Sequence, residues 1–158
     1  MITVKLEKLE LNFPDGFTTM GDEEQRELNI ASKGDQCICL KDEDRHVVVS
    51  SAYQKLNGFS AMMLNDASIA ARMEKQVAGL MKKMAYRPMG KKEKNFINGR
   101  IPGFAYAYTA GGIPMYGESY VLKVGKDCYY LHFYMREENR DEYEKLINDV
   151  FSQMVLEQ

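Results

Sequence analysis

The chain has 158 residues, 45% of them hydrophobic and 28% charged, with a formal net charge of −2 at pH 7. That length suits one domain over residues 1–158, with a core that needs no metal or disulfide staple. Near-neutral charge argues against a general nucleic-acid binder, and no apolar run approaches the roughly 18 residues of a membrane span.

Residues 1–10 carry Lys5, Glu7, Lys8 and Glu10 through every apolar stretch, unlike a secretory leader. Ile2, Val4 and Leu6 share one parity, whereas Leu9, Leu11 and Phe13 take the other. A period-2 strand needs a bulge or turn to do this, and Glu7-Lys8 supplies it. Pro14 and Gly16 end the segment. Residues 22–28 then read as a short helix with acids at its positive end. Strands are predicted over 36–40 and 46–54, joined by a charged turn at 41–45. Residues 54–65 carry no clear signal.

The clearest helix covers 66–85, where Ile69, Met73, Val77, Leu80, Met81 and Met84 form one apolar stripe. Asn65 or Asp66 can cap its start, and Lys82 and Lys83 complement its negative end. Strands over 91–97 and 100–108 flank Asn98-Gly99, a strong hairpin signal. Gly111-Gly112 leads into a strand over 116–124, and Gly125-Lys126-Asp127 into one over 128–135. A closing helix covers 139–157, with Tyr143, Leu146, Ile147, Val150, Phe151 and Met154 on one stripe. The late strands are apolar or aromatic in both parities, so both faces of their sheet should be covered, with the two long helices as the covers.

Three signatures in this order resemble the PsbP-like superfamily. They are Leu9-x-Leu11-x-Phe13-Pro14-x-Gly16-Phe17, Asn98-Gly99-x-Ile101-x-Gly103, and Tyr129-Tyr130-Leu131-x-Phe133 before a helix with Ile147-Asn148. That superfamily includes PsbP, a fungal Ran-binding import factor and bacterial DcrB-like proteins. The resemblance implies an antiparallel sheet between helices and, commonly, no enzymatic activity. It also implies an adaptor, assembly or chaperone-like role, and offers no catalytic residues to carry over. Residues 1–10 do not read as the export signal or lipid-attachment segment of many bacterial relatives, so a cytoplasmic location is expected.

The residues that carry chemistry are few. Cys37, Cys39 and Cys128 are an odd number, which fits free thiols and a cytoplasmic protein. Cys37 and Cys39 share one strand face, as do Cys128 and His132. Residues four apart on a strand lie about 13 Å apart, too far to share a metal or act as nucleophile and base. The Gly-rich stretch 111–117 lacks phosphate-loop spacing and reads as a hairpin loop, with an exposed-looking Tyr116 that makes it a binding-loop candidate.

Charge is uneven along the chain. Lys82, Lys83, Arg87, Lys91, Lys92, Lys94 and Arg100 oppose only Glu93, while residues 136–158 hold seven acids against three bases. The basic run is either a solvated edge strand or a patch that steers an acidic protein partner. Methionines cluster over 62–89, as core or as an adaptable contact surface.

The expectation is an α+β protein with a single antiparallel sheet of about six strands flanked by helices on both faces. Its function would be non-catalytic binding, as an adaptor or chaperone-like protein and a monomer or weak homo-oligomer. The candidate contact residues are Arg87, Lys91, Lys92, Lys94, Phe96, Arg100, Tyr106, Tyr108 and Tyr116. The alternative is a small-ligand domain using the Tyr-rich strands 104–108 and 129–134 as a pocket wall. No catalytic residue, metal or cofactor is expected.

Overall fold

The computed structural model describes residues 1–27, 35–96 and 99–157. Strands β1 (Ile2–Leu6) and β2 (Leu9–Phe13) pair antiparallel from Ile2↔Phe13 to Leu6↔Leu9. The parity change is therefore a tight turn, with Glu7 at φ 50°. Strand β3 (Thr18–Thr19) and helix α1 (Asp22–Glu27) follow, and Leu28 of the predicted helix lies outside the described residues.

Strands β4 (Gln36–Asp42) and β5 (Val47–Lys55) enclose a turn at 43–46, one or two residues later than predicted. Buried Asp42 fixes that turn by accepting the Arg45 backbone N–H at 3.1 Å. Two helices occupy the next segment, α2 (Gly58–Met63) and α3 (Asp66–Leu80). Asn57 and Asn65 cap them, accepting the backbone N–H of Ser60 (2.7 Å) and Ser68 (2.8 Å). The α3 helix stops five residues before the predicted end. Ala85 sits at φ 53°, and the Thr109 N–H donates to the Met84 carbonyl at 2.7 Å, pulling the chain onto the sheet.

Four long strands then form a meander: β6 (Arg87–Phe96), β7 (Gly99–Ala110), β8 (Ile113–Val124) and β9 (Asp127–Arg136). Phe96 pairs with Gly99, as the expected hairpin requires, although Ile97 and Asn98 lie outside the described residues. Gly111 and Gly112 take φ 57° and 80°, so a two-residue turn joins β7 to β8. Residues 113–117 are strand, which removes the expected binding loop. The closing helix is also shorter than predicted. After a 3-10 turn at Glu137–Asn139, α4 (Arg140–Ser152) ends, and β10 (Val155–Leu156) pairs with β2.

The strands make two sheets rather than one of about six. Seven lie in the order β3-β4-β5-β9-β8-β7-β6, and three in the order β1-β2-β10. Both faces of the large sheet are covered, as the double-parity pattern implied. On one face α4 and the small sheet bury Leu9, Leu11, Phe13, Tyr120, Phe133, Ile147 and Phe151. On the other, α3 presents Ile69, Met73 and Val77 to Phe104, Tyr106, Tyr108 and Val121.

Two glycines set how closely β7 and β8 carry their aromatic rings. A Cβ at Gly103 would lie 2.4 Å from the Tyr120 ring on the α4 face. One at Gly117 would lie 2.4 Å from the Tyr106 ring on the α3 face. Each tyrosine is opposite its glycine in register, so each ring lies flat across the neighbouring strand.

Candidate functional site

The residues expected to form one basic surface are divided by strand alternation. On the edge strand β6, Lys92 and Lys94 stand opposite Gly103 and Ile101, on the α4 side with Phe96. Lys91 and Glu93 stand opposite Phe104 and Pro102, on the α3 side. Arg100 forms an ion pair with Glu93 at 3.0 Å. Lys94 donates to Asn148 of α4 at 2.7 Å and lies over the Tyr120 ring. Arg87 is exposed beyond the bulge between Pro88 and Lys91.

The three tyrosines of the expected site are core residues. Tyr106 is 0% exposed, Tyr108 7% and Tyr116 1%. Tyr116 is the clearest correction, since its ring lies under the Arg140 guanidinium (4.4 Å) and its hydroxyl donates to buried Glu118 at 2.8 Å. The sequence could not show this, because Arg140 comes from the far side of a helix start. Methionines divide as well: Met73 is buried, whereas Met62, Met63 and Met89 are exposed.

A different set of residues converges on the α3 face. Cys39, Ser50, His132 and Ser119 are directly opposite one another on β4, β5, β9 and β8. They form a polar row across four strands. Helix α3 packs over β7 and β8, leaving the β5–β9 half of the row partly open. There a cleft of about 430 Å³ remains between helix and sheet. Its floor is Ser50, Ala52 and Gln54 of β5 with Tyr130, His132 and Tyr134 of β9. The opposite wall is Ile69, Met73 and Val77 of α3, with Leu56 and Leu64 at its ends and Arg72, Gln76 and Leu80 at its rim.

Hydrogen bonds hold the floor in place. Tyr106 Oη lies 2.9 Å from Ser119 Oγ, which lies 2.6 Å from His132 Nδ1. The His132 and Tyr134 rings stack, 6.0 Å apart and 8° from parallel. Tyr130 donates its hydroxyl to Gln54 Oε1 at 3.2 Å. Burial pulls the His132 imidazole down to about 4, so it is neutral at physiological pH. Burial likewise raises the Tyr106 and Tyr130 hydroxyls, which remain protonated donors.

Ser119 and His132 are within hydrogen-bond reach, but the serine is enclosed. Ser119 is 0% exposed and already joined to Tyr106, so no substrate atom can reach its oxygen. Beside the cleft, the Cys39 thiol hydrogen-bonds Cys37 and lowers the Cys37 thiol to about 7, while Cys39 itself is raised. Among the described residues, no three His, Cys, Asp or Glu side chains form a metal-binding group. No helix is long and apolar enough to cross a membrane, again among the described residues.

Sequence reasoning marked the Tyr-rich strand 129–134 as a pocket wall, and its Tyr130 and Tyr134 do line the cleft. It missed Arg72, Gln54 and Gln76. Their only local signal was a polar side chain next to an apolar stripe, which any surface helix shows.

Comparison with family models finds no match, and comparison with curated proteins finds none. Solved structures do resemble the chain. PsbP (CyanoP) from Synechocystis sp. PCC 6803 matches with a TM-score of 0.70 at 13% identity, over 95% of this chain and 87% of that one. The Saccharomyces cerevisiae Ran-binding protein Mog1p matches at 0.57 and 8% identity, over 98% and 94%. LpqN of Mycobacterium tuberculosis, involved in cell envelope biogenesis, matches at 0.55 and 10%, over 95% and 83%. At such identities the likeness is one of fold. The chain therefore shares its overall fold with PsbP, Mog1p and LpqN.

Proposed function

We propose that this chain is a non-catalytic binding protein that receives its ligand in the cleft between α3 and strands β5 and β9. The observation that carries this is the cleft's two-sided chemistry, an apolar helical wall facing a hydrogen-bonded polar floor. Concave sites of this volume, mostly apolar with a few fixed polar groups, are the usual form of a small-molecule site. The closed geometry around Ser119 supports binding without turnover. The likeness in fold to a Ran-binding protein is compatible with a binding role, and says nothing about which ligand.

The edge strand supports this role less well. Its lysines alternate between faces, Lys94 is engaged by Asn148, and charged edges commonly serve to prevent strand pairing. A second surface has one specific observation in its favour. Helix α2 buries none of its residues and leaves Phe59, Met62 and Met63 exposed, at 70%, 76% and 62%, next to Ser60 of the cleft. A protein partner would find an apolar foothold there.

The test is amide chemical-shift mapping with the apolar anion anilinonaphthalenesulfonate. Shifts are expected in β5, β9 and α3, and should be unchanged when Lys91, Lys92 and Lys94 are all reversed to Glu. Shifts confined to β6, abolished by that reversal, would sink the cleft reading. Turnover of any substrate with dependence on His46, His132 or a cysteine would sink the non-catalytic one.

A further inference from the structure

The polar groups of the cleft are not a neutral mixture. Tyr106, Ser119 and His132 satisfy one another within the floor, and Tyr106 also donates to the Tyr134 hydroxyl. The His132 ring is neutral, so the charge in the cleft comes from elsewhere in its lining.

Gln54 accepts from Tyr130 through its carbonyl oxygen, which leaves its amide N–H groups as the unused part of the side chain. Among the described residues, Arg72 is the only charged side chain lining the cleft, it forms no ion pair, and no carboxylate lines the cleft. A guanidinium and an amide favour an acceptor, and a charged one is favoured where the sole ion of the lining is cationic. Facing them is an uninterrupted apolar wall from Leu56 and Leu64 through Ile69, Met73 and Val77.

From this juxtaposition we infer that the cleft binds a single-chain amphiphile with a carboxylate head. The head sits on Arg72, and the chain runs along the α3 wall. This inference rests on the cleft being the binding site. It adds the class of ligand and the residues that select it.

The protein contains no tryptophan, so Gln76→Trp at the exposed rim supplies a single fluorescent reporter of occupancy. Decanoate, decanol and decyltrimethylammonium are titrated into this full-length variant, below the concentrations at which they form micelles. Decanoate is expected to bind at least about tenfold more tightly than decanol, and the cationic amphiphile to bind weakest. Adding Arg72→Gln should remove that tenfold preference while leaving decanol affinity unchanged. Circular dichroism on each variant confirms the fold, and the mapped amide shifts confirm the site.

Equal binding of decanoate and decanol within the cleft, unaffected by Arg72→Gln, would overturn the head-group assignment and leave the cleft standing. Absence of shifts in β5, β9 and α3 with any of the three would overturn both. Preference for the cationic chain would overturn the ligand class outright.

Discussion

The two faces of the seven-stranded sheet use alternate residues of the same strands to opposite ends. On the α4 face, Leu131, Phe133 and Met135 of β9 are 1%, 0% and 0% exposed, locked between a helix and a second sheet. On the α3 face, Tyr130, His132 and Tyr134 are only partly covered and line a cleft. Each face also has a buried tyrosine pair or chain. Tyr116 and Tyr120 both donate to Glu118 on the closed face, whereas Tyr106 and Ser119 lead out to His132 on the open one. A closed polar cluster satisfies itself. The open one ends on the His132 ring at the floor of the cleft. Under the proposed function, the closed face serves stability and the open one binding.

Truncation should expose that division most sharply. Phe133 contacts the rings of Tyr120 and Phe151, and Phe133→Ala is expected to cost about 3–5 kcal/mol in urea unfolding. Gln76→Ala on the open side should change stability by no more than about 0.5 kcal/mol. Comparable losses from both would erase the distinction.

The next largest effect is one of pH. The His132 ring has its pKa depressed from 6.5 to about 4 in the folded protein, so it takes up a proton more readily when unfolded. Its contribution is complete above pH 6.5 and is lost as pH falls toward 4, by up to about 3 kcal/mol. His132→Gln should flatten the stability profile across that window. An unchanged slope would show that the open face is not the site of acid sensitivity.

The paired glycines offer a smaller, symmetric comparison. Gly103→Ala meets the Ser119 carbonyl and the Tyr120 ring, each at 2.4 Å, whereas Gly117→Ala meets only the Tyr106 ring. Each should cost about 1–3 kcal/mol. Gly103→Ala should cost more, because a backbone carbonyl cannot swing aside.

The smallest effect is chemical. Cys37, half-buried with its thiol lowered to about 7, should be alkylated by iodoacetamide at pH 7.5 ahead of buried Cys39 and Cys128. Mass spectrometry of the modified peptides reads the order, and preferential loss of Cys128 would contradict it.

Local pattern alone determined the long strands, the main helices and the need for cover on both sheet faces, but not the two-residue strands β3 and β10. Period-2 and 3.6-residue repeats report directly on which side of an element is buried. The same reasoning placed the Gly111-Gly112 turn and the Asn65 cap, since both depend on neighbours in the chain. It overextended both long helices, because what ends them is a contact with a distant strand: Thr109 with Met84 for α3, and β2 with β10 after α4.

The site depended on tertiary structure almost entirely. Ser50, Ser119 and His132 become neighbours only because β5 pairs with β9 and β9 with β8. Tyr116 is buried because Arg140 covers it, and the cleft exists because α3 lies over β7 and β8 rather than across the whole face. Periodicity tells a residue which face it occupies. Which residues share that face, and how much of it a helix leaves uncovered, is set by long-range pairing that no local pattern encodes.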